Sequence, residues 1–425
     1  HFSSVKHKTF REANFSILNK EEGDPKLDRP LIVQFCGNDP DQVLKSAKVL
    51  EDYCDAIDLN LGCPQDIAKR GNYGAYLQDD WDLIYRIINT LHLNLKIPVT
   101  AKFRVFPTVE KTVEYAKMLE RAGAQILTCH GRTREQRGVL TGLADWTKIR
   151  AVKEAVSVPV FANGNILYFS DIAACLEATG ADAVMSAEAN LYNPALFRPA
   201  LLSLSNTEEA VVSFGEDERE NPELELELKP ALDDASDPSL ASPVALERAT
   251  TKEEISDLAL EHLPIADLAL EYLEIVNSLK TSTGWGAVKG HLFKLLRPGF
   301  VQHTDLRDRL GKIPGPKAKP TTDAAEKGEE NAILSRAEDI VRELKQRLEN
   351  DKLAAEKEGK DYVRIDPETG LRFVPHWLSQ PYFRPPPPPP PSTKRQKKDI
   401  QEYLEGRKQA KEREAQNASD SLVPL

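Results

Sequence analysis

Cys63 ends the apolar run AIDLNLGCP (56–64), with Asn60 three residues before it and the basic, glycine-bearing stretch QDIAKRGNYGA after it. A cysteine in that place is either an inert core filler or a positioned proton donor. A free thiol has a pKa of about 8.5, so at neutral pH it keeps its proton and is still a competent acid. Lys102 lies inside VTAKFRV (99–105), where burial of an ammonium calls for an anionic partner. His130 in ILTCHGR (126–132) taken alone reads as a core histidine, and Asn163–Gly164 in VFANGNI (160–166) taken alone as a turn. With Gln34 in LIVQFCG (31–37) and Ser186 to Glu188 in AVMSAEA (183–189), these form a set of amides, small residues and one cation. Such a set suits the cradling of a phosphate and the balancing of a delocalised anion.

Every one of these residues falls near the C-terminal end of a short β-branched run. Between the runs lie amphipathic stretches such as PDQVLKSAKVLEDY, TVEKTVEYAKMLERAGA and YFSDIAACLEATGA. The alternation predicts six βα units and a parallel sheet. Strand C-termini carry the site in a βα-barrel, but they also do so in a doubly wound open sheet, so this pattern leaves both open.

Taken together, DLNLGCPQ, AKFRV, CHGRTREQRG, GLADW, FANGNI and SAEANLYNPALF resemble the tRNA-dihydrouridine synthases, and within them the eukaryotic branch acting on uridines 16 and 17 of the D-loop. The resemblance covers about residues 1–200 and resumes at EYLEIV and VKGHLFKLLRP. It implies an α/β fold, an FMN-containing TIM (β/α)8 barrel, followed by a small all-α domain that binds tRNA. It also implies FMN reduced by NADPH or NADH, a hydride passing from flavin N5 to uracil C6, and a proton passing from Cys63 to C5. A mobile loop would carry that cysteine over the base. By the same resemblance Gln34 meets the polar edge of the isoalloxazine, Lys102 its N1/O2 side, and His130 lies beside it. Asn163, Gly164, Ser186, Ala187 and Glu188 hold the FMN phosphate, largely through backbone amides. Asn60 bonds the target base, and Arg104, Arg132, Arg134, Lys289, His291, Lys294 and Arg297 contact tRNA. No metal is implied. The family's first strand, bearing A-P-M, and its second strand do not appear, so the chain is expected to begin at His1 just after them, with a barrel two strands short. NGNI also stands where NGDI is usual. Two other readings fit the same residues: a small-molecule FMN oxidoreductase of the dihydroorotate dehydrogenase type, and an RNA-binding protein with a defunct flavin site.

The net charge of −11 argues against a nucleic-acid partner only until its distribution is read. Residues 201–260 hold sixteen Asp/Glu against four Lys/Arg, which leaves +1 for the rest of the chain. The expected organisation is a partial FMN-binding barrel over 1–200, an acidic disordered insertion over 201–261, a helical tRNA-binding domain over 262–312, and a charged, proline-rich tail over 313–425. Within that tail, 315–360 is compatible with one long helix. The seven prolines 385–391 would form a polyproline rod, a spacer or an SH3/WW-type ligand. KRQKK (394–398) reads as a nuclear signal or a solvated run. The five cysteines are scattered and never spaced CxxC, which speaks against a disulfide framework or a cysteine zinc site. No stretch approaches the roughly 18 apolar residues of a membrane span. A soluble monomer, cytoplasmic or nuclear and with no membrane partner, is expected.

Overall fold

The computed structural model describes residues 28–198, 262–279, 283–316, 324–358, 363–365 and 372–382. The acidic insertion, the proline rod, KRQKK and the last charged stretch lie outside the described residues.

Six strands form one parallel sheet in chain order: β1 (Ile32–Phe35), β2 (Ala56–Leu61), β3 (Val99–Arg104), β4 (Ile126–His130), β5 (Val160–Asn163) and β6 (Ala183–Met185). The helices between them are α1 (Pro40–Leu50), the short α2 (Asp66–Gly71), α3 (Trp81–Asn94), α4 (Val109–Ala122), α5 (Trp146–Ala155) and α6 (Ser170–Thr179). Their boundaries follow from local chemistry. Asp39, Asp80, Thr108 and Asp145 each accept an amide hydrogen of the first turn, and Pro40 opens α1. Gly123, at φ 109°, and Gly180, at φ 65°, end α4 and α6 in the left-handed conformation.

The strand period divides the sheet into two faces. Ile57, Leu59, Leu61, Val99, Ala101, Phe103, Leu127, Cys129, Val160 and Ala162 point outward into one core with the helices, whose contribution includes Ile84, Ile88, Leu91, Tyr115 and Leu119. The helices pack side by side, α1 on α3, α3 on α4, α4 on α5 and α5 on α6. Among the described residues these helices cover one face of a sheet whose strands follow chain order without a switch point, unlike a doubly wound sheet. The other face is mostly polar, and its side chains align across the sheet in rows set by the register. One row runs Gln34, Asp58, Thr100, Ile126; the next Asn60, Lys102, Thr128, Phe161; the last Arg104, His130, Asn163, Met185.

The second core is helical. It joins α7 (Ile265–Ser278), α8 (Trp285–Leu295), α9 (Arg297–Gln302), α10 (Thr304–Lys312) and the 35-residue α11 (Ala324–Glu358). The expected domain limit at 312 does not hold for this core. Ile333, Ala337, Ile340, Val341, Leu344 and Leu348 recur at helical spacing along α11 and are buried against α7 and its neighbours. Charge on the remaining positions hides that stripe in the sequence. A two-stranded piece, β7 (Arg364–Ile365) with β8 (Arg372–Phe373), precedes a segment that returns to both cores. Trp377 O accepts from Ile265 N at 3.0 Å and Leu263 O from Ser379 N at 2.8 Å. The Tyr168 hydroxyl donates to Arg372 O at 2.6 Å, and Tyr382 stacks on Tyr192 while the Arg297 guanidinium lies 3.6 Å from its ring centre. Among the described residues no helix is long and apolar enough to cross a membrane, and all five cysteines are free thiols.

Candidate active site

The polar face of the sheet walls a cleft of about 620 Å³, within the range of small-molecule sites. Its lining comes from all six strands and from the loops at their C-terminal ends, including Gly62–Pro64, Gly164–Leu167 and Ser186–Ala189. Gln34, Asn60, Cys63, Lys102, Arg104, His130, Arg132, Asn163, Gly164, Ser186, Ala187 and Glu188 are thus brought together.

Cys63 is half-buried at the cleft wall, and the polar backbone around it is anchored on every side. Asn60 Oδ1 accepts from both Gly62 N and Cys63 N at 3.0 Å. Arg104 Nε donates to Gly62 O at 2.8 Å, Ala75 N to Cys63 O at 3.1 Å, and Arg137 and Tyr76 to Pro64 O at 2.7 and 3.1 Å. Gly74, at φ 63°, lets the chain pass close: a Cβ there would come 2.9 Å from Cys63 O. In this structure the turn expected to move is braced by these hydrogen bonds. Partly buried carbonyls need donors, and Arg104 at the end of β3 and Arg137 in the loop after β4 supply them.

Asn60 and Arg104 consequently have different surroundings from those expected. Besides holding the turn, Asn60 donates Nδ2 to Gln34 Oε1 at 2.7 Å, and Gln34 Nε2 donates to Asp58 Oδ2 at 2.7 Å. One amide hydrogen of Asn60 remains for a ligand. Arg104 directs its guanidinium at Gly62 O and at Thr133 O, 2.9 Å away, and burial, then Arg132, pushes its pKa down to about 10. Arg134 pairs with Asp79 at 2.7 Å and rests over the Tyr76 ring, outside the cleft lining.

At the centre of the wall Lys102 Nζ donates to Asn163 Oδ1 at 3.0 Å, while Asn163 Nδ2 donates to Met185 O at 2.7 Å. The side chain of Asn163 therefore positions Lys102 and ties β5 to β6. Burial, then Arg104, lowers the lysine pKa. The carboxyl closest in kind, Asp58, is itself buried, which raises its pKa against the hydrogen bonds of Thr100 and Gln34. His130 is pushed down to about 2 by burial, then by Arg104, Lys102 and Arg132, so its ring is neutral at physiological pH. Arg132 NH1 lies 3.1 Å from His130 Nε2, its NH2 donates to Asn165 Oδ1 at 2.8 Å and its Nε to Gly142 O at 2.9 Å. Three cations, one neutral imidazole, and a carboxyl drawn toward protonation leave this wall suited to an anion. Gly164 has φ 108°, and a Cβ there would meet Ala144 at 2.7 Å. Ser186 Oγ donates to Ile166 O at 3.2 Å.

Three contributors were missed in the sequence. Asp58 and Thr100 sit two residues before Asn60 and Lys102, so a strict period of two would have placed them on the same face. Asn165, in NGNI, stands out in the sequence only as a departure from the usual aspartate. At φ 64° it exchanges hydrogen bonds in both directions with the backbone of Ala144, as well as receiving Arg132. An aspartate could not donate the second of these.

The helical-domain candidates do not converge on the cleft. Lys289 Nζ donates to Gly311 O and Ile313 O at 2.8 and 3.0 Å, capping the C-terminus of α10. His291 Nδ1 is 2.8 Å from the Tyr272 hydroxyl and lines a second cavity, between the 190–198 turn and α7. Lys294 is half-buried on α8, and Arg297 lies on Tyr382.

The chain matches the sequence model of the family described as Dihydrouridine synthase (Dus) over residues 3–216. It is 40% identical over 384 residues to the tRNA-dihydrouridine(16/17) synthase [NAD(P)(+)] of Saccharomyces cerevisiae, covering 89% of this chain and 74% of that protein. Against the protein of the same name from Schizosaccharomyces pombe it is 38% identical over 367 residues, 84% of this chain and 74% of the other. The tRNA-dihydrouridine synthase B of Pasteurella multocida is 38% identical over 169 residues, 39% of this chain and 50% of the relative. With half of its length matched by the family and two fungal members aligned through both cores, the chain belongs to the dihydrouridine synthase family.

Proposed function

We propose that this protein reduces uridine to 5,6-dihydrouridine in tRNA, at positions 16 and 17 of the D-loop, with FMN as bound cofactor and NAD(P)H as reductant. The observation that carries the reading is Cys63, fixed on a braced turn at the wall of a cleft lined by Lys102 and a neutral His130. The names of the two fungal relatives support the two positions and the nicotinamide reductant. The donor set fits a flavin mononucleotide. The wall is cationic in balance, and Lys102 is held by an uncharged amide and lowered in pKa, so an arriving anion would restore its proton affinity. The 186–188 loop and Gly164 border the same cleft, as phosphate-holding backbone would.

When bound, FMN supplies hydride transfer to the uracil ring. Lys102, held by Asn163, would serve as the cation for the N1/O2 side of the ring system. Gln34 and Asn60, linked to each other, each retain one amide hydrogen for a carbonyl of cofactor or base. Cys63 gives its proton to C5 of uracil, and Gly62, Pro64 and Gly74 fix where the thiol stands. We read the six strands as part of an eight-stranded barrel, which the single helical layer supports, and the helical core as the tRNA-binding unit, in keeping with the tRNA in the names of the two fungal relatives. The test is direct. The full-length protein is incubated with FMN, NADPH and unmodified tRNA transcript, and the digested RNA is weighed by mass spectrometry. The mass gain of two hydrogens at residues 16 and 17 is expected. A preparation that binds FMN and oxidises NADPH but leaves the transcript unchanged would refute the reading.

A further inference from the structure

Away from the cleft, three side chains from distant parts of the chain meet at one point of the helical core. His303 immediately precedes α10, Asp351 lies in the last part of α11, and His376 belongs to the segment that returns after β8. His303 Nε2 and His376 Nε2 both approach Asp351 Oδ2 at 2.8 Å, and the three atoms all lie within 4.8 Å of one another. We propose that His303, Asp351 and His376 bind a zinc ion that staples the returning segment to α10 and α11.

Zinc takes imidazole and carboxylate ligands at about 2.0 to 2.2 Å, so tetrahedral neighbours stand about 3.3 Å apart. The 2.8 Å spacings need to open by only about half an ångström, within reach of small side-chain rotations. Two imidazoles and one carboxylate suit zinc, whereas magnesium and calcium call for oxygen alone. All three side chains are partly exposed, at 14, 34 and 26% for His303, Asp351 and His376, which leaves an entry path and room for water as fourth ligand. What the ion would hold is specific. The His376 ring lies 5.1 Å from that of Trp377, whose carbonyl receives the first amide of α7. The same segment continues to Tyr382 on Arg297. No cysteine spacing announces such a site, because its ligands are separated by 48 and 25 residues.

The experiment uses the full-length protein, free of any histidine tag, stripped with a chelator and dialysed against zinc chloride. Elemental analysis should find about one zinc per chain, and cobalt in its place should give the visible bands of a tetrahedral site. Zinc should raise the unfolding temperature by several degrees. His376→Ala and Asp351→Asn should lose both the metal and the shift. His303→Gln, closer in bulk, serves as a second variant, with circular dichroism to verify folding. A folded wild-type chain that takes up no zinc, or one stabilised no more than folded His376→Ala, leaves only a hydrogen-bonded triad and overturns the proposal.

Discussion

Asn60 offers the most discriminating perturbation of the site, because its two possible uses respond differently to substitution. If it mainly shapes the turn, the atom that counts is Oδ1, which accepts from Gly62 N and Cys63 N at 3.0 Å. Each neutral hydrogen bond contributes about 0.5 to 1.5 kcal/mol net, so Asn60→Ala removes about 1 to 3 kcal/mol from the braced conformation. Felt wholly as a loss of the productive position of Cys63, that is about a 5- to 150-fold fall in rate. Asn60→Asp keeps the acceptor and should recover most of it. If Asn60 acts instead through its remaining amide hydrogen on the base, Asp fails as badly as Ala. The assay is stopped-flow reoxidation of the reduced protein by tRNA, beside its reduction by NADPH. Reoxidation should fall in Asn60→Ala and return in Asn60→Asp, with reduction steady in both. Equal loss in the two variants would refute the turn-shaping argument.

Cys63→Ala should fold, bind flavin and accept hydride normally, while tRNA-driven reoxidation falls by about 10² to 10⁴-fold, the usual loss of a positioned acid; unaltered reoxidation would make the thiol a bystander. Leu344→Ala, emptying a fully buried site on α11, should cost about 2 to 5 kcal/mol in the helical core, read by chemical denaturation; a change under half of one would detach α11 from that core. His130 makes stability depend on pH. Burial, then its cationic neighbours, holds it near 2 in the folded chain against about 6.5 unfolded, so its contribution is complete above about 6.5 and shrinks as the pH falls toward 2. His130→Asn should flatten the acid side of the stability curve by up to about 1.4 kcal/mol per pH unit, and an unchanged slope would deny the ring its neutral state.

The strands were legible because parallel β-branched runs stand out between amphipathic stretches. β2 begins at Ala56 and β3 at Val99, where the sequence predicts, while strand ends come one to four residues before the ends of the apolar runs. The chemistry-bearing residues were legible as types and places, not as partnerships. Nothing local in AKFRV announces that Arg104 reaches the carbonyls of Gly62 and Thr133, since those bonds span 42 and 29 residues. Lys289 and Arg297 looked like RNA-facing charge for the same reason: a helix-capping ammonium and a guanidinium on a tyrosine have the composition of a basic patch. The α11 stripe was obscured because six apolar positions are diluted among charged ones over 35 residues.

The two faces of the sheet also bear on how this scaffold tolerates change. On β2, β3 and β4 the even-numbered residues Asp58, Asn60, Thr100, Lys102, Thr128 and His130 line the cleft, while the odd-numbered ones between them enter the apolar core. Adjacent letters of one strand thus answer to separate selective demands, one chemical and one of volume. A substitution on the inner face can alter reactivity while the helix-facing core stays as it was, and a repacked core need not disturb the row of polar groups beside it. Single insertions are the exception: adding one residue inside β3 would exchange the roles of every position beyond it, turning Lys102 into the helices and Phe103 into the cleft.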